Sequence, residues 1–167
     1  MLDLGALRLQ PGGARHEPVL VALAPVTLGG LEYRPLRSPV EAVVELQPAE
    51  GAIYLKLSLG AAYAGPCVRC LDEARVDVAV DASEYQQHAA ARRGEQELAC
   101  EYLAGELLDV DRWAHDAVVL ALPGRILCAS DCPGLCPRCG VRLAGEPLHS
   151  CGEADTDSRW DTLKDLL

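Results

Sequence analysis

Eight cysteines stand at positions 67, 70, 100, 128, 132, 136, 139 and 151. Their spacing is the strongest chemical signal in the chain. Cys136-Pro137-Arg138-Cys139-Gly140 has the two-residue spacer that lets both sulfurs face one tetrahedral ion. The glycine after the second cysteine can take the positive φ that such a turn favours. Returning ligands are needed about ten residues on, and His149-Ser150-Cys151 supplies two. Cys136, Cys139, His149 and Cys151 therefore read as a Cys3His zinc site. Cys67-Val68-Arg69-Cys70 repeats the spacer, and Cys128 and Cys132 are then left to complete a second set of four. A rival grouping places Cys128, Cys132, Cys136 and Cys139 round one ion and leaves Cys67 and Cys70 as a redox or unused pair. Two sites are favoured, although spacing alone does not determine grouping. Cys100 is expected to be free.

Plainer readings compete with these. Cys67 and Cys70 could be ordinary buried cysteines, or a thioredoxin-like pair, but that chemistry wants a helix N-terminus after the first sulfur and the pattern here continues into a strand. His149 could be a surface histidine, as His16, His88 and His115 are expected to be. A site with four protein ligands is closed, so a structural metal is expected over a catalytic one. There is no phosphate-cradling glycine loop, nucleophile elbow or His-Glu-x-x-His motif. No enzyme is expected.

The elements that must position these residues follow from periodicity. Val19–Leu28 is an apolar stretch bounded by prolines and glycines and reads as a strand. Val40, Ala42, Val44 and Leu46 alternate with Glu41, Val43 and Glu45, and Ile53, Leu55, Leu57 and Leu59 alternate with Tyr54, Lys56 and Ser58. The second run delivers the chain to Cys67. After a turn, Val76, Val78 and Val80 alternate with Asp77, Ala79 and Asp81, so the sheet should be antiparallel and half exposed. Residues 86–106 read as a loop. Asp109 can cap a helix over 109–122 whose apolar face is Val110, Trp113, Ala114, Ala117, Val118 and Ala121, stopped by Pro123. Asp157–Leu167 reads as a short terminal helix with Trp160, Leu163 and Leu167 on one face.

The expected class is thus α+β: a mostly antiparallel sheet with one packing helix, and a small C-terminal zinc-knuckle module ending in a short helix. The expected division is a body of residues 1–123 and a cysteine-rich module of 124–167. The 167 residues contain no Phe, five Tyr and two Trp, so the core must be built of Val, Leu and Ala. Net charge is −10, with a pI near 4.8, against an extensive grip on nucleic acid. Any contact with RNA must be local, and Arg125, Arg138 and Arg142, in or beside the cysteine segment, are the candidates. The acidic residues Glu95, Glu97, Glu101, Glu106, Asp109 and Asp111 read as a solvated face, or as one suited to a basic protein. The N-terminus lacks a signal-peptide pattern and no apolar run reaches the ~18 residues of a membrane span, so a cytoplasmic location is expected. In that compartment cysteines point to metal before disulfides.

The order Cys67-x-x-Cys70-Leu71, then Leu120-Ala121-Leu122-Pro123, then Cys128-x-x-x-Cys132-Pro133-Gly134-Leu135-Cys136-Pro137-x-Cys139-Gly140, then Asp157-Ser158-Arg159-Trp160, resembles the large ribosomal RNA subunit accumulation protein family, also called YceD-like. The resemblance runs from about Val40 to the C-terminus. It implies a non-enzymatic role in accumulation of large-subunit (23S) ribosomal RNA and in ribosome biogenesis, with precursor RNA or a basic ribosomal protein as partner. Members with the full cysteine set end the module in Cys-x-Cys, where this chain has His149-Ser150-Cys151. Histidine is an acceptable ligand, and the site's charge becomes less negative by one unit. Other members lack these cysteines, which suits a metal that staples the fold. A thiol- or zinc-based redox or metal sensor is the alternative reading.

Overall fold

The computed structural model describes residues 1–7, 9, 12–87, 99–146 and 148–151. The element order is β1 (Leu2–Asp3), a 3-10 turn (Gly5–Leu7), β2 (Arg15–Val21), β3 (Val26–Leu28), β4 (Leu31–Pro35), β5 (Val40–Ala49), β6 (Ala52–Pro66), β7 (Glu73–Gln87), β8 (Leu103–Ala104), β9 (Leu107–Leu108) and α1 (Val110–Ala121). The fold is α+β, and all strand pairing is antiparallel.

The centre is β6. It pairs with β7 along its whole length, from Ala52↔Gln87 to Pro66↔Glu73. Its other edge pairs first with β5 and then, at Tyr63 and Ala64, with β4. β2 lies outside β5, and β3 outside β4. Register decides which side chains are buried, because a period of two sends alternate residues to opposite faces. Val44, Leu46, Leu55 and Leu57 lie fully buried on the core face, while Glu41, Lys56, Ser58 and Asp81 line the solvent face. Two tyrosines supply the aromatic bulk that phenylalanine would otherwise provide. Tyr33 and Tyr63 are buried, and their hydroxyls donate to the carbonyls of Pro66 (2.8 Å) and Ala24 (3.3 Å), as a buried phenol requires.

The helix begins where the Asp109 side chain accepts from the Arg112 N–H and ends as Leu122 turns extended before Pro123. Val110, Trp113, Ala114, Ala117 and Val118 face the core, and Ala121 is exposed. The helix packs against β7 and β2. Asp111 fixes its start by accepting the Ala22 N–H at 2.8 Å, and Trp113 stacks on Tyr102 with ring centroids 6.0 Å apart.

Three expectations need revision. The stretch Val19–Leu28 is two strands, since the Ala22 and Leu23 N–H groups go to the side chains of Asp111 and Ser38 and Pro25 has no N–H to give. Residues 86–106 are not all loop. Gln86 and Gln87 complete β7 opposite Ile53 and Ala52, and β8 and β9 form a hairpin on which β1 adds a third strand. Thirdly, His115 is half-buried, with its Nδ1 buried and unbonded among the described residues. The terminal helix over Asp157–Leu167, His88, Glu95 and Glu97 lie outside the described residues.

Candidate metal centres

The hairpin of β6 and β7 closes through Cys67–Asp72, and this turn has a hydrogen-bond pattern that recurs sixty-nine residues later, from Cys136 to Val141. Cys67 N–H donates to the Asp72 carbonyl (2.7 Å) and Leu71 N–H to the Cys67 carbonyl (3.0 Å), with Leu71 at φ +63°. In the second turn Cys136 N–H donates to the Val141 carbonyl (2.8 Å) and Gly140 N–H to the Cys136 carbonyl (2.8 Å), with Gly140 at φ +73°. Each turn bends the backbone around the first sulfur. The Arg69 N–H points at the Cys67 Sγ from 3.4 Å.

Each turn meets a second pair of ligand types. Cys67, Cys70, Cys128 and Cys132 form one cluster, and Cys136, Cys139, His149 and Cys151 another. Within each, the ligand atoms lie within 4.8 Å of one another, so either group could hold a metal ion. In the first cluster the Cys67 and Cys132 sulfurs are 3.8 Å apart and those of Cys70 and Cys128 3.5 Å. A tetrahedral ion with metal–sulfur bonds near 2.3 Å places its sulfur ligands ~3.8 Å apart, whereas a disulfide needs ~2.05 Å. In the second cluster Cys136 and Cys151 are 3.4 Å apart, Cys139 and Cys151 3.1 Å, and the His149 Nε2 lies 3.4 and 2.9 Å from the Cys139 and Cys151 sulfurs. That cluster is tighter than an ion of this size requires, but it has the same four-cornered form. All eight cysteines are free thiols. Cys100 is in neither cluster. It is buried, its N–H donates to the Gln86 side chain, and burial pushes its thiol up.

Crowding four sulfurs sets their charges against one another. Burial raises the Cys67 thiol, but N–H donors from Arg69, Cys128 and Cys70 outweigh it and bring it down to about 6. At Cys70 the Asp72 N–H pulls the other way, yet burial and the neighbouring Cys128, Cys132 and Cys67 thiols carry it up to about 12. The second cluster repeats this division. N–H groups of Cys139 and Arg138, with the Cys151 thiol, lower Cys136 to about 6, while the Cys139 and Cys136 sulfurs push Cys151 to about 12. In each cluster one sulfur, Cys67 or Cys136, forms a thiolate readily while another, Cys70 or Cys151, resists, an imbalance that a bound cation would relieve.

Placement distinguishes the two. Cys67, Cys70 and Cys132 are buried in the core and only Cys128 is exposed. In the second cluster Cys136 is buried, Cys139 exposed, and His149 and Cys151 half-buried. The clusters also touch. Arg69 donates through Nη1 to the Cys132 carbonyl (2.7 Å), its own carbonyl accepts from Leu135, and Arg142 pairs with Asp72. Gly134 sits so close that a Cβ there would come within 3.2 Å of the Arg69 carbonyl. Nothing in the sequence signals these roles for Arg69, Asp72 and Gly134, since each depends on how the two turns pack.

The three candidate RNA contacts are not alike. Arg142 is engaged with Asp72, Arg138 donates to the Cys151 carbonyl (3.0 Å), and Arg125 is exposed with no partner among the described residues. No helix among the described residues is long and apolar enough to cross a membrane.

Comparison with known proteins relates the chain to a family. A family model described as large ribosomal RNA subunit accumulation protein YceD matches residues 55–167, a stretch that contains both clusters. An uncharacterized protein of Mycobacterium tuberculosis is 31% identical over 175 residues, covering 99% of this chain and 80% of its own. A protein of Mycobacterium bovis matches to the same extent, and one of Mycobacterium leprae is 34% identical over 103 residues, covering 60% of this chain and 46% of its own. No solved structure matches.

Proposed function

This chain belongs to the large ribosomal RNA subunit accumulation protein family, and we propose that it is a non-enzymatic factor for 23S ribosomal RNA accumulation and ribosome biogenesis, held in shape by two structural zinc ions. The carrying observation is that the family match spans the two four-ligand clusters. Zinc is the ion of this reading because three or four thiolates with at most one imidazole, in tetrahedral array, are its usual ligand set. Four thiolates give the first site a charge of −2, and three with a neutral His149 give the second −1. Each site spends all four positions on protein ligands, which leaves none for a metal-bound water and supports a structural role.

In this reading the body of residues 1–123 and the module of 124–167 are stapled by the first site, whose ligands come from both sides of that boundary. The partner is precursor large-subunit RNA or a basic ribosomal protein bound to it, in the cytoplasm. The deciding experiment is sedimentation of the tagged protein on a gradient that resolves ribosomal precursors. Co-migration with precursor large subunits is expected, and confinement to the top of the gradient would refute the role. Exposed Cys128 and Cys139, one per cluster, favour the second reading of an oxidant-sensitive zinc switch. That reading requires reversible metal release at low peroxide concentrations.

A further inference from the structure

In so acidic a chain a cationic site must be found by asking which basic groups are uncommitted. Among the described residues Arg15, Arg34, Lys56, Arg75, Arg112 and Arg142 each pair with a carboxylate. Arg37 and Arg125 have no partner there. Arg37 shares its groove with Glu41 and Asp77. Arg125 lines a different cavity, of about 460 Å³, formed by Leu28, Gly29, Leu31, Tyr33, Val68, Arg69, Gly124 and Ile126 together with itself, and no acidic residue is among them.

The construction of that cavity favours an anion attached to an apolar body. One wall is the β3–β4 turn, a second is the Cys67–Cys70 turn, and the third is the segment just after α1. The last two are joined where the Val68 N–H donates to the Ile126 carbonyl at 3.0 Å. Arg69 is anchored by its Nη1 on the Cys132 carbonyl, and its Nε and Nη2 have no acceptor among the described residues. A guanidinium held from one side and open on the other is pre-organised for a phosphate, and Arg125 adds a second from the adjoining wall. Leu28, Leu31 and Val68 offer an apolar surface against which an unstacked base can lie.

We propose that this groove binds one nucleotide step of single-stranded RNA, with Arg69 and Arg125 on the phosphate. The proposal rests on the functional reading above and names its RNA contact. An A-form duplex fits the groove less well, because its stacked and paired bases cannot turn a face onto the apolar wall. The cavity wall is also the loop of the first cluster, so the contact depends on that cluster being intact.

The test uses the full-length, metal-loaded protein and a fluorescently labelled single-stranded RNA oligonucleotide followed by anisotropy. Two neutralised phosphates, or one shared by two arginines, predict a shallow salt dependence with a slope of about −1.4 or less in magnitude. Arg125→Glu should weaken binding about tenfold or more while metal content and circular dichroism stay unchanged, since Arg125 supports nothing else in the fold. Arg125→Lys should recover part of the loss. Absence of binding by the unaltered protein, or equal binding by Arg125→Glu, overturns the proposal. Gradient sedimentation separates this from the functional reading. Co-migration of Arg125→Glu with precursor subunits as strongly as the unaltered protein points to a protein contact and also overturns the groove. Oligonucleotide binding through Arg125 by a protein that never co-migrates supports the groove and sinks the functional reading.

Discussion

Cys132→Ser and Cys139→Ser should each remove one metal of two, yet only the first should damage the body. Cys132 is 3% exposed and lies beside Cys67, which is fully buried, and Cys70, which is 4% exposed. Losing one of four ligands there leaves the buried Cys67 thiolate without a cation. Removing one partner of a buried charged set costs about 3–5 kcal/mol, and for a chain of this length each kcal/mol moves the thermal midpoint by roughly 2–4 °C. A fall of about 6–20 °C follows. Cys139 is exposed, and its cluster connects to the body chiefly through the Arg142–Asp72 pair and the backbone bond from the Leu135 N–H to the Arg69 carbonyl. Both side chains of that pair are well exposed, at 56% and 35%, so it contributes at most about 1 kcal/mol. The midpoint of the body should then move by less than about 4 °C. Far-ultraviolet circular dichroism melts, with metal quantified by mass spectrometry on protein purified without chelator, read both quantities. An equal fall in the two variants would refute the separation of the sites. A single metal in the unaltered protein would refute the paired-site premise itself.

Other substitutions probe the surrounding structure. Gly140→Ala puts a Cβ on a residue at φ +73° with no neighbour to clash with, so the cost is conformational alone, roughly 1 kcal/mol. One of the two metals should consequently be lost to a competing chelator about fivefold more readily. Tyr33→Phe deletes the 2.8 Å bond to the Pro66 carbonyl and should lower stability by about 1 kcal/mol in a denaturant melt with no change in metal content. Glu84 is raised, first by burial and then by the nearby Glu101 charge. Its folded-state pKa exceeds the unfolded value, so its stabilising contribution is complete at low pH and is lost as pH rises through the carboxylate range. Glu84→Gln should accordingly raise the neutral-pH midpoint, an advantage that shrinks as pH falls through the raised folded-state pKa and is gone below the ordinary glutamate value of about 4.3; an unchanged difference across pH would contradict the assignment.

The sequence is most readable where one physical rule acts alone. Alternation over Ile53–Leu59 and Val40–Leu46 announces strands buried on one face, and the 3.6-residue spacing from Val110 to Val118 announces the helix, because in both cases burial dominates. It is least readable where a backbone group finds a distant side chain. The break at Ala22–Pro25 is made by Asp111, eighty-nine residues away, and by Ser38, and no local window contains them. The last residues of β7 are polar and gain their structure only from pairing with β6.

The two cysteine turns show the same contrast at the candidate site. Their hydrogen bonds correspond atom for atom, so both demand a left-handed residue one place after the second cysteine. At Gly140 the residue type declares that demand. At Leu71 the side chain conceals it, and the position is held against a penalty on the order of 1 kcal/mol for a non-glycine residue at positive φ. Something else must hold that turn, and the structure supplies two candidates: the full-length β6–β7 ladder that closes through it, and Cys67 and Cys70 seated in the core. The second turn has no such ladder, an isolated bridge between Leu135 and Arg142 being its only sheet pairing among the described residues, and only the first of its two cysteines is buried. A turn without a scaffold needs the unstrained residue, whereas one clamped between two fifteen-residue strands can tolerate leucine. The glycine therefore marks the cluster that would depend most on a bound ion, and the leucine marks the one that the fold has already built.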